Sequence, residues 1–357
     1  MAVMTNSTDT ANTTDTTNKT DVPARTRPPG RRVLRSVARV IGVVLALVVG
    51  LVLVGVSYEA VSAMGDAKAY PPPGRLVDVG GYSLHIQCAG TASAGSPTVI
   101  LDAGLGGSSL DWSLVQAEIG QKTQVCAYDR AGMGWSDTGP LPRTPHQIAL
   151  ELHTLLTNAG ISGPYIMVGH SLGGKNVRMF ALQHPEEVAG MVLVDARSEY
   201  VDQHTSPAEA EAFQAPMRDQ ENQYSLQRRL GLVRLLGASQ SGVPAMSDKT
   251  RLEIALVTTG QRAIDATIAE SLARATDDDQ LQAAPSLGDR PLLVLAAGQN
   301  MSNAMLPTWP EAQRRLAALS TNGRLVVVQG SGHYIQMDKP AVVIDAVQQV
   351  VSQARSH

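Results

Sequence analysis

The sequence predicts an α/β protein: a mostly parallel sheet with helices on both faces, a helical cap inserted into it, and a transmembrane helix in front. Three observations carry this. A nineteen-residue uncharged apolar run stands at Val40–Tyr58. Short apolar runs of strand length then alternate with stretches of helical period, the mark of a parallel sheet with crossover helices. The alternation breaks once, over residues 200–288, where the chain turns polar and helix-favouring.

Residues 1–32 are rich in Thr, Asn, Asp, Pro and Arg and nearly free of large apolar side chains. Such a stretch cannot bury enough surface to offset its ordering entropy, so a disordered tail is expected. An anchor is expected over 33–60. Its uncharged run, at about 1.5 Å per residue, is long enough to cross a hydrocarbon core. Arg25, Arg27, Arg31, Arg32, Arg35 and Arg39 precede it, and only Lys68 and Arg75 follow closely. That bias puts the N-terminus in the cytoplasm and the rest of the chain outside. A cleaved leader is the rival, with Val61-Ser62-Ala63 and Ala67-Lys68-Ala69 as small-residue sites. The long preceding segment and the length of the apolar run favour an uncleaved signal-anchor. Residues 61–74, ending in Tyr70-Pro71-Pro72-Pro73-Gly74, read as a stiff linker.

The core is expected over 75–199 and 289–357. Arg75–Val79 and Tyr82–Cys88 form a hairpin around Gly80-Gly81. Thr98–Leu101, Thr123–Tyr128, Pro164–Val168, Gly190–Val194, Pro291–Ala296 and Arg324–Val328 read as further strands. Helical spacing marks Thr144–Ala159, Asn176–His184 and Ala341–Gln353. In the cap, 200–288, Leu230, Leu232, Val233, Leu235 and Leu236 make one apolar patch. Net charge is −3 and aromatics are 4% of the chain, which argues against a nucleic-acid partner. Two cysteines, Cys88 and Cys126, are too few and too separated for a zinc cluster. No metal and no cofactor is expected.

The chemistry concentrates at Gly169-His170-Ser171-Leu172-Gly173, between an expected strand and an expected helix. A serine there sits on a sharp turn, flanking glycines give the turn room, and the helix N-terminus favours negative charge developing on a substrate oxygen. The same residues imitate a phosphate-binding loop, Gly169-x4-Gly174-Lys175, with Asp195 as the magnesium aspartate. Asn176 stands where that loop needs a hydroxyl for the metal, which counts against it. A serine hydroxyl needs a base and the base needs an acid. His333, in Gly330-Ser331-Gly332-His333 after the last strand, is the one of eight histidines placed to serve. His170 is read as shaping the turn.

Together with Asp129-Arg130-Ala131-Gly132-Met133-Gly134-Trp135-Ser136 and Asp102-Ala103-Gly104-Leu105-Gly106-Gly107-Ser108, these segments resemble the α/β-hydrolase superfamily. The resemblance implies an eight-stranded sheet in the order 1-2-4-3-5-6-7-8. It implies Ser171 as nucleophile, His333 as base, and an oxyanion hole from the N–H groups of Leu105 and Leu172. The Asp129–Ser136 segment resembles a signature loop of the family and is read as structural. The family's oxyanion loop usually opens His-Gly; here it reads Ala103-Gly104. The family's acid most often follows the strand corresponding to Pro291–Ala296, but that loop, Gly298-Gln299-Asn300-Met301-Ser302-Asn303, holds no carboxylate. Some relatives place the acid after the preceding strand, which here gives Asp195, with Asp202 in reserve.

The resemblance implies an enzyme that hydrolyses small or lipid-like carboxylic esters through an acyl-enzyme. Amide or peptide hydrolysis by the same triad and a catalytically silent fold used for binding are the alternatives. Dehalogenase and epoxide hydrolase relatives use Asp where this chain has Ser171. The implied strand order sets Tyr82–Cys88 beside Thr123–Tyr128, so Cys88 and Cys126 are expected to pair if the domain lies outside the cytoplasm, two buried thiols being the alternative.

Overall fold

The computed structural model describes residues 30–93, 95–235, 243–303 and 307–355. The expected disordered tail lies outside these residues up to position 29. The chain divides into two units, Met1–Val52 and Leu53–His357.

The first helix spans Arg31–Ala69, and its Val33–Asp66 stretch is long and apolar enough to cross a membrane. Helix therefore replaces the expected linker over residues 61–69. No strong breaker falls there; Pro71-Pro72-Pro73 end the helix because a proline disfavours helical backbone at the residue before it.

Eight strands form one sheet: β1 Arg75–Asp78, β2 Ser83–Ala89, β3 Thr98–Asp102, β4 Val125–Tyr128, β5 Tyr165–His170, β6 Val188–Val194, β7 Leu292–Ala297 and β8 Gly323–Val328. Their order is β1-β2-β4-β3-β5-β6-β7-β8, the order expected. β1 and β2 pair antiparallel, as do β2 and β4, and all other neighbours are parallel. The central strands are buried on both faces because helices cover both. Along β5, Tyr165 and Met167 join one apolar cluster while Ile166 and Val168 join the other. Cys88 faces Cys126 across the β2–β4 pair, and the two form a disulfide.

Between β6 and β7 the regular elements of the insert's described residues are all helices, Glu199–His204, Pro207–Arg229, Leu232–Leu235, Asp248–Thr258, Gln261–Ala273 and Asp278–Ala283. Local signals start two of them. Ser206 and Glu209 form a reciprocal capping box, and the Ser247 hydroxyl accepts from the Thr250 N–H at 3.1 Å. Of the expected apolar patch Val233 is buried, Leu230 is half-buried, Leu232 and Leu235 are exposed, and Leu236 lies outside the described residues. The insert meets the core elsewhere: Met246 and Ile254 pack with Leu110, and Ala263 and Ala266 with Met133.

Candidate active site

Ligand sites of open parallel sheets gather at the C-terminal ends of the strands, and three such ends meet here. Ser171 follows β5 with φ 51°, a left-handed conformation that costs roughly 1–3 kcal/mol outside glycine. The turn is held from β6: the Ser171 N–H donates to the Val194 carbonyl at 3.1 Å, and the Ser171 carbonyl accepts from the Arg197 N–H at 2.9 Å. Helix Gly173–Gln183 begins directly after. A Cβ at Gly173 would sit 2.4 Å from the Asp102 carbonyl oxygen and 2.7 Å from that of Ala103. Only glycine lets the loop after β3 approach the helix start so closely. At the next step along that loop, a Cβ on Gly104 would lie 2.8 Å from His170 Nδ1 and 3.2 Å from the Ser171 Cβ.

Asp195 follows β6, also left-handed at φ 41°, and is fully buried. Its Oδ1 accepts from the Ala297 N–H and from Trp309 Nε1, both at 2.9 Å. Its Oδ2 takes His333 Nδ1 at 2.7 Å and the side-chain amide of Asn300. His333, after β8, is about a third exposed, the only one of the pair that solvent reaches. With Nδ1 committed to Asp195, its remaining ring nitrogen is Nε2. His170 joins the two halves: its Nε2 pairs with the His333 main-chain carbonyl at 3.0 Å, and the two rings stand 4.7 Å apart. Burial, with the His333 charge adding, pushes the His170 imidazole well below its usual 6.5, so it stays neutral and donates to that carbonyl.

Leu172 opens the turn into helix Gly173–Gln183, and Leu105 follows Gly104 in the loop packed on Ser171. Among the described residues neither of their N–H groups has a hydrogen-bond partner. Leu172 thus follows Ser171 directly and Leu105 follows the Gly104 that packs on it, both with unengaged amides.

The phosphate-loop alternative fails on Lys175. Its side chain is wholly buried, and its ammonium donates to Asp202 at 2.7 Å, to the Arg274 carbonyl at 3.0 Å, and to Asp278. It faces the cap helices and has no donor left for a phosphate. Asp202, the reserve acid, is committed to the same network through Lys175 and Arg197 and makes no contact with His333. Burial opposes its charge, but Arg197 and Lys175 hold its carboxyl well below the usual carboxylate range.

Asn300 and Trp309 escaped sequence reasoning. Asn300 stands in the loop after β7 that lacks a carboxylate, bonds Asp195, and lies 3.4 Å from His333 Nδ1. The signal available was that this position adjoins a site otherwise short of its acid. Asp129 of the Gly-rich loop after β4 ties that loop together. It receives the N–H groups of Ser109 at 2.6 Å and Trp135 at 3.0 Å and pairs with His85 at 2.8 Å.

Residues 97–340 match the family model for the α/β-hydrolase fold. An uncharacterized protein of Schizosaccharomyces pombe is 28% identical over 296 residues, covering 74% of this chain and 53% of that protein. The chain thus spans about half the length of that relative. Among solved structures, an esterase of Thermogutta terrifontis aligns with TM-score 0.57 at 21% identity, covering 79% of this chain and 98% of that one. An epoxide hydrolase, CorEH, aligns with TM-score 0.60 at 19% identity, covering 78% and 98%. At these identities the likeness is one of fold.

Proposed function

The chain belongs to the α/β-hydrolase fold family, and from that premise we propose that it is a serine hydrolase that cleaves carboxylic esters through an acyl-enzyme. The observation that carries this reading is the Asp195–His333 pair at 2.7 Å beside a left-handed Ser171. In the proposed reaction Ser171 Oγ attacks the ester carbonyl and its proton passes to His333 Nε2. The electron pair of the carbonyl moves to oxygen, where the N–H groups of Leu105 and Leu172 receive it. Asp195 holds His333 in the tautomer with hydrogen on Nδ1 and stabilises the imidazolium. Collapse of the tetrahedral intermediate expels the alcohol, which takes the proton from His333. Water then repeats the sequence on the acyl group and frees the acid. Opening an epoxide by an ester intermediate would call for a carboxylate at position 171, which holds a serine.

The test is a fluorophosphonate probe on the full chain in detergent, followed by a panel of esters of varied acyl length and one matched anilide. Labelling at Ser171 that Ser171→Ala abolishes, with esters turned over faster than the anilide, is the expected result. A faster anilide would shift the reading to amide hydrolysis. An unlabelled wild type would leave a hydrolase fold used for binding.

We further propose that the N-terminal helix anchors the protein with its arginine-rich flank in the cytoplasm and the hydrolase domain outside. The charge bias across the helix supports this orientation, and so does the Cys88–Cys126 disulfide, which suits an oxidising compartment.

A further inference from the structure

Arg130 lies in the Gly-rich loop after β4, and the hydrolytic sequence above leaves it without a task. Its side chain is 2% exposed. A guanidinium carries five N–H donors, and here all five are spent. Nε and Nη2 donate to the two carboxylate oxygens of Glu270 at 2.7 and 2.9 Å. Nη1 donates to Asp102 Oδ1 and to the Ala103 carbonyl, both at 2.7 Å. Nη2 also donates to the Gly104 carbonyl at 2.7 Å. Burial would weaken the positive charge, but Glu270 and Asp102 over-compensate and hold the guanidinium well above its ordinary pKa.

The two carbonyls matter because of what lies across their peptide planes. A trans peptide is planar, with C=O and N–H pointing opposite ways. Arg130 draws the carbonyls of Ala103 and Gly104 toward itself. The N–H groups of Gly104 and Leu105 therefore point away from it, on one side of the loop. Among the described residues neither N–H has a partner, and Gly104 is the residue packed on Ser171. Two successive amides aimed the same way form an anion-binding concavity. Without the clamp the Ala103 carbonyl has no other donor among the described residues and the Gly104 carbonyl keeps only the Gly107 N–H, at 3.0 Å, so either peptide plane is freer to turn its amide off that side.

Glu270 ties the clamp to the cap. It sits on helix Gln261–Ala273, which covers the same two loops. Arg262 of this helix donates to the Gly134 carbonyl at 2.7 Å, and a Cβ on Gly106 would lie 3.1 Å from the Thr267 hydroxyl.

The geometry points to Arg130 as a positioning residue that pre-aims the oxyanion-hole amide of Leu105, and the adjoining amide of Gly104, toward the Ser171 side, with Glu270 of the cap as its tether. This rests on the serine-hydrolase reading. Lysine cannot replace the fork: a single ammonium cannot hold two carbonyls and two carboxylates in one plane.

The test uses the full chain in detergent, in wild type, Arg130→Lys and Glu270→Gln. Three quantities are read: the acylation rate from the burst of an activated ester, affinity for an aryl boronic acid that forms a tetrahedral adduct on serine, and the pH profile. Acylation should fall about a hundredfold in Arg130→Lys and about tenfold in Glu270→Gln, with KM little changed. Boronate affinity should fall in step, and the acid limb of the pH profile should not move, because His333 and Asp195 are untouched. A merely structural role would lower the melting temperature and leave boronate affinity and acylation as in wild type. That result in either folded variant overturns the inference. Should Arg130→Lys fail to fold, Glu270→Gln decides alone. If the wild type is not labelled at Ser171, the hydrolase reading falls and takes this inference with it. A labelled wild type with unchanged variants sinks the inference only.

Discussion

Asp195 carries four donors on two buried oxygens, and only one of them is His333. The other three fix the carboxylate so that its Oδ2 is presented to the imidazole. If this carboxylate orients His333, Asp195→Asn should lower kcat by about 10⁴-fold, because an amide favours the wrong tautomer of the base. Asp202→Asn should leave kcat near wild type, since Asp202 serves Lys175 and Arg197 instead. Ester turnover in both variants decides; an active Asp195→Asn would remove the acid assignment. Asn300→Ala should cost less, about tenfold, because the amide supports an acceptor that keeps three other donors. The positions of Ser171 and His333 were legible because each follows an apolar strand run, with Gly169 and Gly173 around Ser171 and Gly330 and Gly332 before His333. Asp195 was legible only through the family resemblance, which implies an acid after β7, where the loop holds none, or after β6 as in some relatives. Asn300 and Trp309 were not legible at all: nothing local in the sequence says that an amide and an indole will turn toward a carboxylate more than a hundred positions away.

At the scale of elements, the helix behind Ser171 is fastened to the cap by a buried charge. Lys175 projects from helix Gly173–Gln183 to Asp202 on helix Glu199–His204 and Asp278 on helix Asp278–Ala283. Removing one partner of such a cluster leaves uncompensated buried charge, so Lys175→Met should destabilise the protein by about 3 kcal/mol. Thermal melting read at Trp fluorescence checks it, and a shift of under about 2 °C would refute it. The acid side follows from the same cluster. The Asp202 carboxyl is held below its ordinary range in the folded state. Its contribution is therefore complete above the pKa it has when unfolded and is lost as pH falls through the carboxylate range. Asp278, where burial outweighs Lys175, is shifted upward and opposes this. Asp202→Asn should accordingly flatten the loss of stability below about pH 5; an unchanged acid limb would refute it. The strands and the three expected core helices were legible to within a few residues because their apolar patterns are strong; helices Gln116–Gly120 and Trp309–Ala317 were not read. The insert was legible as helical from its composition. Its docking was not. The expected patch of leucines is largely exposed, and the cap is seated by two small apolar clusters and by ion pairs: Lys175 and Arg130 reach polar partners far away in sequence, and hydrophobic periodicity does not register such pairs.

For the whole molecule, the proposed orientation with the hydrolase domain outside rests on two features. The arginine-rich flank before the apolar helix favours retention of the N-terminus in the cytoplasm. The disulfide across β2 and β4 suits an oxidising space and would be kept reduced in a cytosol. The sheet order that brings the two cysteines together was legible only through the family resemblance, because pairing of β2 with β4 skips a strand in sequence. A fusion of alkaline phosphatase after residue 357 should be active, and a fluorescent protein that matures only in the cytoplasm should stay dark at the same place. Alkylation of the unfolded, unreduced protein should find no reactive thiol, and reduction should reveal both Cys88 and Cys126. The bridge closes 38 residues, so its loss should cost about 4 kcal/mol in the chain-entropy account. Cys88→Ala/Cys126→Ala should therefore melt well below the oxidised wild type while matching the reduced one. An inactive phosphatase fusion and a fluorescent reporter fusion, with free thiols in the native chain, would reverse the orientation. Phosphatase activity with free thiols would keep the orientation and remove the bridge as its support.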